Sequence, residues 1–146
     1  TYFPDRVVPM LPDSLSGDLC SLHEWEKRAC LIVKMKIDSQ GNKLSHKYKS
    51  SIIQSSASIE YSEVQEDVDK GIGRQEVLQL LEPVLNPLYG AYNSLKVARN
   101  KRGPLELNLP ERQIEIDKIG KVTEVRFKER LDAHKLIEEF MILANI

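Results

Sequence analysis

The chain has 146 residues, enough for one domain with a real core and too few for two of ordinary size. Apolar residues make up 41% and charged residues 29%, which excludes a disordered tail, while 21 basic and 22 acidic residues give a net charge of -1. That balance excludes a strongly basic or strongly acidic tail but leaves room for a local basic groove.

No apolar run is long enough to span a bilayer, so no membrane partner is expected, and no charged-then-apolar leader opens the chain. Two cysteines, Cys20 and Cys30, make no disulfide framework, and a cytoplasmic location is the expectation.

Residues 1–12 carry Pro4, Pro9 and Pro12 among apolar residues, which suits an extended segment. Pro12-Asp13-Ser14 offers a cap for a short helical turn near residues 14–18. From Arg28 to Asp38, Ala29, Leu31, Val33, Met35 and Ile37 alternate with Cys30, Ile32, Lys34 and Lys36, a strand with one apolar face. Ser39-Gln40-Gly41-Asn42 is a turn signal, and Lys43 to Ser58 reads as the return strand of a hairpin. Lys34, Lys36, Lys43, Lys47 and Lys49 make this hairpin basic, either as a solvated sheet face or as a groove facing phosphates.

Tyr61 to Lys70 is acidic through Glu63, Glu66, Asp67 and Asp69, without the order of a calcium loop, and reads as a solvated helical turn. Gly71-Ile72-Gly73 breaks the chain. Val77, Leu81, Val84, Leu88, Tyr92 and Leu95 then recur at helical steps on one face. Pro83 and Pro87 interrupt that pattern, and Asn86-Pro87 carries a start signal, which predicts a short helix at about 74–82 and a longer one at about 87–101. Lys96, Arg99, Lys101 and Arg102 in its last turn complement the helix dipole.

Leu105, Leu107 and Leu109 alternate as a short strand, Ile114 and Ile116 suggest another, and Lys118-Ile119-Gly120-Lys121 a turn before a strand from Val122 to Lys128. A terminal helix is expected from Asp132 onward. The sequence stops, without a cap, in its most apolar stretch, which suggests a piece of a longer polypeptide. The order of elements predicts an α+β fold, with antiparallel β hairpins packed with helices.

His134, Glu138, Met141 and Asn145 form one stripe of the terminal helix, with Leu136, Ile137, Phe140 and Leu143 on neighbouring faces. A helix this apolar is expected to be buried on most sides, Glu138 and Asn145 with it. Glu138 is then either paired structurally or pointed into a polar cavity. His134 and Glu138 lack the surrounding pattern of a zinc protease. Cys20, His23 and Cys30 lack a fourth ligand at finger spacing, so the cysteines read as buried small hydrophobes.

Three segments together resemble the RNB catalytic domain of ribonuclease R and ribonuclease II. The first runs from Tyr2-Phe3-Pro4-Asp5-Arg6 to Pro12, with Leu15-Ser16 and Leu19-Cys20-Ser21-Leu22 after it. The second is Arg102-Gly103-Pro104-Leu105-Glu106-Leu107, and the third Ala133-His134-Lys135-Leu136-Ile137-Glu138-Glu139-Phe140-Met141 and onward to Asn145. The resemblance covers essentially the whole chain and implies an incomplete portion of such a domain, truncated at both ends. It implies a 3′-5′ exoribonuclease that hydrolyses single-stranded RNA to nucleoside monophosphates with Mg²⁺. It also implies that the metal-binding aspartates lie before Thr1 and a catalytic arginine after the third block, so no catalytic residue, metal ligand or bound Mg²⁺ is expected within this piece. By resemblance, Tyr61 contacts the 3′-terminal nucleotide and Glu138 hydrogen-bonds the terminal ribose, which would help distinguish RNA from DNA. Leu107 stands where related enzymes carry a phenylalanine that clamps the last base. The remainder of the parent polypeptide is an implied partner. The alternative is a non-catalytic RNA-binding or interaction module related to that domain, using the basic residues for phosphate contacts.

Overall fold

The computed structural model describes residues 3, 6–71, 75–104, 112–117, 119–127 and 129–146. The fold is α+β, as expected. Strands β1 (Lys27–Ile37) and β2 (Lys43–Gln54) form one hairpin, and β3 (Arg112–Ile116) and β4 (Val122–Phe127) a second. Helices α1 (Tyr61–Lys70), α2 (Gln75–Leu80), α3 (Asn86–Arg102) and α4 (Asp132–Asn145) complete the set, with π-helical turns at Ser14–Leu19 and Leu81–Leu85. The predicted strand at Leu105–Leu109 and the Ile72-Gly73 part of the predicted break lie outside the described residues.

The chain divides into two compact units. The first comprises 1–28, 52–56 and 106–129, the second 29–51, 57–105 and 130–146.

In the first unit, residues 6–12 carry no helix. The turn at Ser14–Leu19 forms without the predicted cap. Asp13 is helical and makes no side-chain cap bond, and the Pro12 carbonyl accepts from Leu15 and Ser16 instead. Arg28 donates to the Asp18 carboxylate at 2.7 Å and also pairs with Glu26, fixing this turn against the start of β1. Trp25 adopts a positive φ of 62°, unusual for a bulky side chain. Its N–H donates to the Ser55 carbonyl at 2.8 Å and its carbonyl accepts from the Gln54 amide at 2.7 Å, and this pair of bonds holds the conformation. The cysteines correct the expectation of a buried pair: Cys20 is exposed and Cys30 only half-buried. Strands β3 and β4 run antiparallel from Arg112↔Phe127 to Ile116↔Val122, with an irregularity between Glu115 and Ile116.

Both hairpins close with the same device, Asp-x-x-Gly-x. Asp38 accepts the amide protons of Gln40 at 2.9 Å and Asn42 at 2.8 Å, and the Asn42 side chain donates to it at 2.9 Å. These donors, the Asn42 side chain foremost, hold the Asp38 carboxyl below its ordinary value. Asp117 accepts from Ile119 and Lys121, each at 2.9 Å. Gly41 (φ 79°) and Gly120 (φ 83°) supply the left-handed residue that each turn needs.

In the second unit lies the helical core. Val77, Leu85, Tyr92, Leu95, Ala133, Leu136 and Leu143 are its buried apolar side chains. The predicted break at Pro83 is instead a π-helical turn, and Asn86 is helical (φ -59°, ψ -47°) rather than a cap, its N–H donating to Leu81. A wide turn relieves the clash that Pro87 would impose on the carbonyl four residues back. It also inserts one residue into the repeat. Leu85 is therefore buried, and Val84, predicted on the core face, is 46% exposed.

The tip of the first hairpin docks on α3, where Gly41 is buried against Ser94 and Ala98. Strand β2 reaches the last carbonyls of α4: Tyr48 donates to Ala144 at 2.5 Å and Lys43 to Leu143 at 3.4 Å. These bonds satisfy acceptors that a helix end leaves open. Along β1 the half-buried positions change parity, from Arg28 and Cys30 to Val33, Met35 and Ile37, so Leu31 (68% exposed) is not on the single apolar face predicted.

Candidate RNA-contact site

The site is built on α1 and α4 of the second unit. The first turn of α1 is ordered by its own acids: the Glu60 amide donates to the Glu63 carboxylate at 3.2 Å. Four residues after Tyr61, Gln65 accepts the backbone proton of Ala133, at the start of α4, at 3.1 Å. Its amide nitrogen donates to Asp69 at 2.9 Å, which orients the group. Leu131, the residue before α4, offers no side-chain cap, so Gln65 supplies one from another helix.

This tie sets the register of the two helices. Tyr61 is one turn before Gln65, and His134 follows Ala133. Their rings stack, with centroids 4.3 Å apart and planes at 26°. Tyr61 is 44% exposed, so one ring face rests on imidazole while part of the side chain meets solvent. Glu138 is one turn beyond His134 on the same face of α4. The structure thus brings Tyr61 and Glu138, two of the three residues singled out from sequence, to one face, and sets His134 between them in the helix register. Leu107 lies outside the described residues.

Glu138 corrects the burial expectation. Its side chain is 42% exposed and pairs with Arg130, just before the helix. Asn145 is exposed as well. The buried acid is the neighbouring Glu139, 4% exposed, which pairs with Arg99 of α3. Asp67 is a second correction: the acidic helix is not wholly solvated, because Asp67 is buried and neither of its carboxylate oxygens has a hydrogen-bond partner among the described residues.

Arg130 at Glu138 is the site residue that sequence reasoning missed. Its signal was a cation two residues before the helix, eight residues before Glu138. The basic cluster ending α3 is largely engaged within the chain. Lys96 lies 5.8 Å from the Tyr92 ring, Arg99 holds Glu139, and Lys101 donates to Gln40 at 3.0 Å. Lys34, Lys36, Lys47 and Lys49 of the first hairpin are exposed.

Among the described residues, no group of three or more His, Cys, Asp or Glu side chains is placed to hold a metal ion. The resemblance implies that the Mg²⁺ ligands lie outside this piece, and no step through a metal is derived from these residues. No helix among the described residues is long and apolar enough to cross a membrane.

An exposed tyrosine braced by a histidine, beside a carboxylate oriented by an arginine, on an α+β scaffold, is a surface suited to a nucleotide end. The chain belongs to the RNB domain family, whose pattern matches residues 1–146. It is 38% identical over 145 residues to ribonuclease R of Vibrio cholerae and 34% identical over 148 residues to that of Escherichia coli, with 99% of this chain and 18% of each relative covered. It therefore spans about a fifth of the length of the curated relatives it matches. Its fold is similar to apo ribonuclease R of Mycoplasma genitalium, with a TM-score of 0.86 and 27% identity, covering 96% of this chain and 22% of that one. A second structure of that enzyme, in complex with ribose-methylated single-stranded RNA, matches equally well.

Proposed function

We propose that residues 1–146 are part of one larger RNB catalytic domain, and that the polypeptide containing them is a cytoplasmic 3′-5′ exoribonuclease. It would degrade single-stranded RNA processively to nucleoside 5′-monophosphates. The observation that carries this reading is the pairing of a whole-chain RNB match with an exposed Tyr61 stacked on a half-buried His134, one turn from a part-exposed Glu138. The RNA held by the Mycoplasma relative supports the same ligand class for this chain.

Tyr61 contributes a flat surface for the last nucleotide. A ring already stacked on His134 has lost its freedom before RNA arrives, so the contact costs less ordering entropy. Stacking tolerates any base, which suits a degradative enzyme. Glu138 accepts a hydrogen bond from the terminal ribose. Leu107 packs against the last base with less stacking than a phenylalanine would give. The Mg²⁺ ligands come from parts of the polypeptide beyond residues 1–146, so the 146-residue chain alone is inactive.

The test uses the full-length protein, end-labelled single-stranded RNA and Mg²⁺. Stepwise release of mononucleotides from the 3′ end supports the reading, with roughly tenfold or greater loss in Tyr61→Ala and retention in Tyr61→Phe. RNA binding without any cleavage would replace it with the non-catalytic binding module. Cleavage by the isolated 146-residue chain would overturn the placement of the metal ligands outside it.

A further inference from the structure

We infer that Arg130 is a positioning residue for Glu138 and sets how strictly the site distinguishes a ribose end from a deoxyribose end. The inference rests on the proposed ribose contact of Glu138 and deepens it.

Arg130 lies in the segment that leads into α4, two residues before Asp132. Six residues of helix rise about 9 Å from Asp132 to Glu138. Side chains on a helix lean towards its N-terminus, so Glu138 leans back towards Arg130 and the guanidinium bridges the remaining gap. It donates through Nη2 to Glu138 Oε2. The other oxygen, Oε1, has no donor among the described residues, and a carboxylate oxygen has lone pairs to spare for a hydroxyl. One oxygen is anchored by the guanidinium, and the other keeps its lone pairs for a further donor.

The exposure of the pair argues against a purely structural role. Arg130 and Glu138 side chains are 46% and 42% exposed. Ion pairs that wet contribute little to stability. The buried tie between α3 and α4 is a different pair, Arg99–Glu139, with Glu139 only 4% exposed. What Arg130 does is fix the orientation of a carboxylate that otherwise rotates about three torsions. A hydrogen bond to a sugar hydroxyl is sensitive to that orientation. Arginine suits the task better than lysine, because its planar fork holds a carboxylate in one plane.

The experiment measures kcat/KM of the full-length protein on two single-stranded RNAs that differ only in the 3′-terminal sugar, ribose or 2′-deoxyribose. The readout is the ratio of the two. Glu138→Gln is the reference and should collapse the ratio. Arg130→Ala should lower it roughly tenfold, the order expected for a misaligned charged hydrogen bond, mainly through slower turnover of the ribose end. Arg130→Lys should restore part of it. Equal losses on both substrates, with the ratio unchanged in Arg130→Ala, would show a merely structural role and overturn the inference while leaving the Glu138 contact standing. An unchanged ratio in Glu138→Gln would overturn the ribose contact and the inference together.

Discussion

Gln65 of α1 accepts the backbone proton of Ala133 at 3.1 Å, so the first turn of α4 is capped by a side chain from a different helix. The same tie brings Tyr61 over His134. Removing the acceptor leaves an orphaned amide at a buried residue. Gln65→Ala is expected to lower stability by about 1 kcal/mol. Gln65→Glu keeps an acceptor and should lose less. Urea denaturation midpoints compare the two.

Gly41 and Gly90 should respond in opposite directions. A methyl group on Gly41 would lie 2.2 Å from the Ser94 carbonyl oxygen and 2.9 Å from the Ala98 methyl, at a backbone φ of +79°. Backbone cannot retreat as a side-chain tip can, so Gly41→Ala is expected to cost about 2–4 kcal/mol. Gly90 sits inside α3 with nothing near its missing methyl. Gly90→Ala should raise stability by about 0.5–1 kcal/mol. Thermal denaturation of both variants checks the pair.

The Arg99–Glu139 pair places a carboxylate at 4% exposure opposite a guanidinium at 23%. Arg99→Met strands that carboxylate, with an expected loss of roughly 2–4 kcal/mol. Adding Glu139→Leu removes the stranded charge and should recover most of the loss. A double-mutant cycle reads the coupling directly. Additive losses would show that the two side chains act independently.

Tyr89 gives the protein an alkaline limit. Burial first, then the carboxylates of Asp132 and Asp69, push its phenol from 10.0 up to about 12. Tyr92 moves the same way, again chiefly through burial. The unfolded chain therefore releases this proton earlier than the folded one, and each released proton favours unfolding. The linked stability is complete below pH 10 and is lost as pH rises through about 12. The Tyr89 hydroxyl has no hydrogen-bond partner among the described residues. Tyr89→Phe should flatten the alkaline decline and add about 1 kcal/mol, because a buried unpaired hydroxyl is removed without changing the ring. Stability profiles between neutral and alkaline pH measure both effects.

Much of this was legible locally. The first hairpin, its turn at Gly41 and the start of α4 follow from alternation, glycine placement and the 3.6-residue repeat. The shift from Val84 to Leu85 was not legible, because the prolines announce an interruption without saying whether the chain breaks or widens. The choice between Glu138 and Glu139 was hidden for another reason. Neighbouring residues on a helix point about 100° apart. Which one is buried depends on where Arg99 of α3 lies, a tertiary fact. The Tyr61–His134 stack likewise joins two helices that share no local signal. Tyr61 was reached by resemblance rather than by pattern, whereas Glu138 stood out on the helical stripe and took only its ribose role from the resemblance.

The paired Asp-x-x-Gly turns bear on the order of events in folding. Each is closed by bonds between residues no more than four apart, so each hairpin forms at small loop entropy and early. The seat that receives Gly41, at Ser94 and Ala98, lies far along the chain. The first hairpin is thus expected to exist before its dock does, its glycine tip a finished key awaiting a later lock. Pulsed hydrogen exchange during refolding reads this as early protection in β1–β2 and late protection around α3.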